Sequence, residues 1–153
     1  MNSDKKSDSG SVISVPVQPL LLESESACLL DSDVLIDFLR GHALARELFV
    51  QLPADCAVSS ISIAELHVGV REGSERKALD QLLDTFVPID LTPGIAAQGG
   101  LLRRDWGRAN GLGLNDALIA ATAISTGRIL LTLNARHFPM LTEQQLLVPY
   151  QKA

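Results

Sequence analysis

The sequence predicts an α/β fold in which a short parallel sheet is flanked by helices. Three observations carry this. From residue 26 onward, apolar runs of strand length alternate with helical patterns. The links between them are short, so strands joined through helices fall parallel in one sheet. The chain of 153 residues is 46% apolar but only 4% aromatic, enough for one domain whose core is built from Leu, Ile, Val and Ala.

In order, "ACLL" (27–30) reads as a short buried strand and 33–40 as a helix ended by Gly41. A second helix, 43–51, stops before Pro53, and "CAVS" (56–59) is the second strand. Ser62 and Glu65 have the spacing of a capping box and open a helix from 63 to about 71. Residues 74–86 place Leu79, Leu82, Leu83 and Phe86 on one helical face. "VPID" (87–90) is a weak strand, and Pro93 suits the first position of a long helix, 93–109. "NGLGLN" (110–115) breaks that helix. An Ala-rich helix follows over 116–126, with Gly127 behind it. "RILLT" (128–132) is a clear strand, and "LLVPY" (146–150) reads as a last one.

Residues 1–11, "MNSDKKSDSGS", are polar and read as disordered. Residues 12–25 are more apolar, with two prolines, and lack the pattern of a signal peptide. A docking arm, a short extra strand and a start-site artefact all fit them. The expected division is a flexible or weakly ordered extension, 1–25, and a folded domain, 26–153. No apolar run approaches the roughly 18 residues needed to span a membrane. Cys28 and Cys56 stand in apolar, strand-like contexts. They suit buried thiols of a reducing cytoplasm better than a disulfide framework or a zinc site. The net charge of −5 excludes a histone-like coat for nucleic acid. It leaves open an enzyme whose acidic site holds divalent cations and whose basic rim grips phosphates.

In parallel sheets, functional residues gather beyond the carboxyl ends of the strands. That rule singles out Asp31 after the first strand, Ser59 and Ser60 after the second, and Thr132 to Asn134 after the strand at 128–132. Glu65, read in the first turn of its helix, and Asp116, opening the helix at 116–126, converge on the same edge. Carboxylates gathered there repel one another unless protons or cations neutralise them. An all-oxygen donor set selects Mg²⁺ or Mn²⁺ over zinc. Each residue also has a plainer reading. Asp31 can cap the helix after it, Glu65 can be the capping partner of Ser62, and Asp116 can favour its helix dipole. The set and its order carry the case. Asp33 is placed to assist, whereas Asp37, one turn on, faces solvent or pairs with a basic residue.

The stretches "LLDSDVLIDFL", "SSISIAELHVGV", "GLNDALIAATAISTG" and "ILLTLNARHF", in this order, resemble a PIN domain over about 27–150. Within that family they resemble a VapC-type toxin of a bacterial toxin–antitoxin pair. The resemblance implies a three-layer α/β/α sandwich. It matches Asp31, Glu65 and Asp116 to metal-binding acids, and Thr132 to a hydroxyl residue near the site. Asn134 stands where a fourth acid is often found, which implies that a second metal is weakly held. The implied activity is that of an Mg²⁺- or Mn²⁺-dependent endoribonuclease, inhibited by a small antitoxin and commonly a cytoplasmic homodimer. Metal-activated water would attack the phosphorus in line, leaving 5′-phosphate and 3′-hydroxyl ends.

Arg103, Arg104 and Arg108 cluster with Trp106 on the long helix and are candidates for RNA contact; the plainer reading is a solvated charged face with a packed indole. Arg40, Arg128 and Arg136 are further rim candidates. His137 lies close to the fourth motif, in reach of RNA or in a capping or packing role; His42 and His67 receive no function. The segments 43–51 and 63–86 offer apolar residues to an amphipathic antitoxin helix. Two alternatives remain. A haloacid-dehalogenase-like phosphatase would use Asp31 as nucleophile, but Leu112 stands where its late motif needs Asp, and Glu65 has no task. A non-catalytic PIN-like module would bind RNA or protein without cutting.

Overall fold

The structure is a computed structural model that describes residues 27–152. The expected extension, 1–25, therefore lies wholly outside the described residues. Five short strands form one sheet: β1 (Cys28–Leu30), β2 (Ala57–Ser59), β3 (Val87–Ile89), β4 (Ile129–Leu131) and β5 (Leu146–Leu147). Their order is β3-β2-β1-β4-β5, and every neighbouring pair is parallel. Central strands of such a sheet are covered on both faces, and β1 and β2 are buried throughout.

The helices are α1 (Ser32–Leu39), α2 (Ala43–Gln51), α3 (Ser60–Val68), α4 (Ser74–Leu83), α5 (Pro93–Asn110) and α6 (Leu114–Thr126). Alternation along β1 divides the core. Cys28 and Leu30 join Val34, Leu48, Leu66 and Leu79 on the face of α1 to α4. Leu29 joins Ile119, Ala120 and Ala123 of α6 on the other. The molecule is thus the three-layer sandwich expected.

Local chemistry moves several boundaries. The helix after β2 begins at Ser60, three residues before the expected start, because the Ser59 hydroxyl accepts the Ser62 amide at 3.1 Å. Ser59 is the cap, so the capping box read from Ser62 and Glu65 is overturned, and Glu65 lies in the second turn. Helix α4 ends at Leu83 rather than 86. The Thr85 hydroxyl donates to the Leu82 carbonyl, and Phe86 turns edge-on to Phe49. Helix α6 starts at Leu114, which puts Asp116 third in it. The last strand keeps only Leu146–Leu147.

Beyond β5 the chain is tied to α1. Asp37, 5% exposed, accepts from the Tyr150 hydroxyl at 2.9 Å and from Lys152 Nζ at 3.0 Å. Of its two expected surroundings, the basic partner is the one found. His42 caps α2 by accepting the Leu44 amide, and its ring stacks on Tyr150. Cys28 on β1 and Cys56, just before β2, are buried as expected and side by side, with their sulfurs 2.8 Å apart. This hydrogen bond and then burial push the Cys56 thiol up, so it stays neutral. Arg128 donates to the carbonyls of Cys28 and Asp55 at the amino ends of the strands. It is a structural residue at the end opposite Asp31 and not part of a rim.

Helices α5 and α6 meet at Gly99. A β-carbon there would lie 2.6 Å from Leu118 Cδ2 and 3.1 Å from its Cα, so the Leu118 side chain must move and the two helices give by a few tenths of an ångström to admit one. Gly99→Ala is expected to lose about 1–3 kcal/mol of stability in urea unfolding. Gly100→Ala, with nothing within 4 Å, is expected to be neutral or to gain up to about 1 kcal/mol. Equal effects would contradict this packing.

Candidate active site

Strand order reverses between β1 and β4, and the carboxyl ends of these two strands flank the switch point where such sheets place their sites. Asp31 follows β1, and its amide donates to the Leu131 carbonyl at 2.9 Å. Its Oδ1 accepts the Ser32 amide at 2.8 Å, so it caps α1 as the plainer reading expected. Its Oδ2 accepts the Thr132 hydroxyl, also at 2.8 Å. Thr132, fully buried, thus fixes Asp31 from β4. Asp33, one residue into α1, is held across the same gap: its Oδ2 accepts the Leu133 amide at 2.9 Å and Asn134 Nδ2 at 3.3 Å.

Glu65 reaches this edge because α3 departs from the carboxyl end of β2. Asp116 reaches it because α6 leads into β4 through Gly127, which puts the helix start at the carboxyl end of the sheet. His137, on a 3₁₀ turn (Ala135–His137), brings Nδ1 to 3.6 Å from Asp116 Oδ2. Ser32, between the two aspartates of "DSD", was not singled out from the sequence. It steadies Asp31 through its amide, and its hydroxyl favours the charged form of Glu65.

Electrostatics tie these groups together. Burial pushes Asp31 up, against the hydrogen bonds from Thr132 and Ser32. Burial and then the charge of Asp31 push Asp33 up to about 6. Glu65 is raised by burial and then by the charges of Asp31 and Asp116. Asp116 is raised by burial, with His137 pulling it down and Asp31 pushing it further up. Four carboxyls therefore carry their charge at a penalty, and three of them are raised by another's charge.

Glu65 Oε1 and Asp33 Oδ1 are buried without any hydrogen-bond partner among the described residues. Buried carboxylate oxygens are rarely left so. A hard cation is the partner that suits an all-oxygen set, and these residues fit one. Among the described residues no three His, Cys, Asp or Glu side chains close into a cage. The carboxylates share one edge without converging on one point, as like charges do when nothing neutralises them.

The RNA candidates on α5 lie apart from this bonding. Arg104 is engaged by Asp105 at 2.7 and 3.3 Å, and the Arg103 side chain lies against Gly107. Trp106 is 39% exposed, and Arg108 is in the last turn.

The Asp33 shift has a consequence in the metal-free protein. The folded state holds this proton more tightly than the unfolded chain. Its charge therefore subtracts from stability above pH 6, and the penalty fades as pH falls from about 6 toward 3.8. Asp33→Asn in EDTA is expected to raise stability at pH 7.5 by on the order of 1–3 kcal/mol, with the gain shrinking by pH 4. Thermal melts across this range check it, and a difference independent of pH would contradict it.

Comparison with known proteins gives the same identity. The PIN domain family model matches residues 28–141. Ribonuclease VapC10 of Mycobacterium tuberculosis is 43% identical over 125 residues, covering 80% of this chain and 92% of that protein. Ribonuclease VapC19 of the same organism is 40% identical over 122 residues, covering 76% and 96%. A toxin–antitoxin complex from Klebsiella pneumoniae superposes with a TM-score of 0.71 at 29% identity, over 82% of this chain and 99% of that one. With these matches, and with its acidic residues placed in order along one edge of the parallel sheet, the chain belongs to the PIN domain family, in its VapC branch.

Proposed function

We propose that this protein is the ribonuclease toxin of a toxin–antitoxin pair, an Mg²⁺- or Mn²⁺-dependent endoribonuclease that acts in the cytoplasm as a homodimer. The observation that carries the reading is the set of Asp31, Glu65 and Asp116 on one sheet edge, with a buried Glu65 oxygen left unpartnered. Relatives at 40–43% identity named as ribonucleases support the substrate class. The phosphatase alternative gains nothing from the site and is displaced by the family.

Asp31, Glu65 and Asp116 would hold the ion, with Asp33 beside them; Asn134 contributes only a neutral amide. Bound there, such an ion supplies an acidified water at neutral pH and a countercharge for a phosphoryl group. The chain's own residues supply orientation. The Ser32 amide and the Thr132 hydroxyl fix the two oxygens of Asp31, and the Leu133 amide fixes Asp33. With water as nucleophile, the ribose 2′-hydroxyl takes no part, and the products carry 5′-phosphate and 3′-hydroxyl ends.

The antitoxin partner is supported by the Klebsiella likeness and by a groove of about 560 Å³. Ile36, Leu39, Leu66 and Val70 line it, and Glu65 lies at its wall. An amphipathic helix laid along it would cover apolar side chains and reach the acidic edge.

Purified protein is expected to cleave RNA only with Mg²⁺ or Mn²⁺, leaving 5′-phosphate ends, and Asp116→Asn is expected to reduce the rate at least 100-fold without unfolding (about 3 kcal/mol of barrier). Cyclic 2′,3′-phosphate products, or cleavage in EDTA, would refute the metal–water route. Absence of cleavage under every condition would favour the non-catalytic module. In the same preparation, Mg²⁺ at about 100 times its Kd is expected to add about 2.7 kcal/mol of stability, a gain lost in Asp31→Asn.

A further inference from the structure

Beside the carboxylates lies a second groove, of about 750 Å³, that the function above leaves unassigned. It begins at Asp33 and Asn134 and runs past Arg136 to Tyr150 and Lys152 of the C-terminal segment. We propose that this groove is the track of the RNA strand beyond the scissile phosphate, with Arg136 and Lys152 as its phosphate contacts. The proposal rests on the ribonuclease reading and extends it to where the substrate lies.

Continuity is the first support. The Thr132 hydroxyl that donates to Asp31 also stands 3.3 Å from Asp33 Oδ2, so the acidic edge and the groove share a wall. A strand whose phosphate rests at Asp31 has this channel as its continuation. The volume falls within the range of sites that enclose ligands.

Charge is the second. The chain carries −5 overall, so cations next to its acidic edge are what a polyanion would meet. Arg136 is exposed and makes no hydrogen bond or ion pair to any described residue, leaving its planar fork of donors available. Lys152 is half-exposed; one N–H is taken by Asp37, and two remain. Asp37 is itself buried and fixed by Tyr150, so the ammonium is held in place at the groove before any strand arrives. Arg104, by contrast, has its fork occupied by Asp105. The proposal therefore places the grip on the turn after β4 and the C-terminal segment, where two cations line the groove.

The test is binding of a fluorescently labelled single-stranded RNA to full-length Asp116→Asn protein across a salt series. Adding Arg136→Gln or Lys152→Gln is expected to weaken binding several-fold. Each is also expected to flatten the slope of log K against log salt by about 0.7, the share of one phosphate contact on a single strand. Lys77→Gln, the same charge change on the exposed face of α4, is expected to leave both unchanged. Thermal melts confirm that each variant is folded, and Lys152→Arg, which keeps the bond to Asp37, is expected to restore affinity. Unchanged RNA affinity in the Arg136 and Lys152 variants overturns the proposal, even if they lose a protein partner. Equal losses in all three variants overturn it as well, since overall charge alone would then explain them. If the parent protein neither binds nor cleaves RNA, the ribonuclease reading falls and takes this one with it, a result distinct from tight binding that the groove variants leave intact.

Discussion

Everything at the functional edge of this protein depends on one electrostatic constraint: buried Asp31 and half-buried Asp33, Glu65 and Asp116 are gathered together, with His137 beside Asp116 as their one nearby basic group among the described residues. Asp31 is the centre of it. The backbone of α1 and the hydroxyl of Thr132 hold both its oxygens, which stabilises the charged form, while burial opposes that form. Its charge in turn raises Asp33, Glu65 and Asp116. An arrangement that penalises its own charges persists in a stable fold when something outside the chain neutralises them. The unpartnered oxygens of Asp33 and Glu65 are the donors the proposed cation would find there.

The fold exists in the form that serves this edge. Parallel strands aim their carboxyl ends the same way, and the reversal of order between β1 and β4 leaves a crevice there. Helices leaving β2 and returning into β4 add Glu65 and Asp116 without long loops. The opposite end of the sheet is closed by contacting thiols, Cys28 on β1 and Cys56 just before β2, and by an arginine that donates to two carbonyls. The C-terminal segment is bound to α1 through Asp37, so the far wall of the crevice is fixed by a buried carboxylate that has its partners, in contrast to those at the edge.

Much of this was legible in the sequence because its signals are local. Alternating apolar runs, Pro93 at a helix start, and Gly41 and Gly127 behind helices each report on a few neighbouring residues. The order of Asp31, Glu65 and Asp116 could be placed on one edge because parallel topology follows from short links. What could not be read depended on contacts made across the fold. Three serines compete to cap α3, and geometry at the end of β2 chose Ser59 over Ser62. Asp37 looks like a surface residue until Tyr150 and Lys152, more than a hundred positions away, arrive beside it. Arg128 sits one residue before a strand, and only the sheet shows that this is its structural end. Cys28 and Cys56 are far apart in the chain, and the pairing of β1 with β2 makes them neighbours.

The central claim is that Asp31, Glu65 and Asp116 together bound one site for a hard divalent cation. Crystals grown with Mn²⁺ and measured at the manganese absorption edge test it most directly. The account predicts one strong anomalous peak enclosed by oxygens of these three side chains. A peak bound elsewhere, or none at millimolar Mn²⁺, would contradict it.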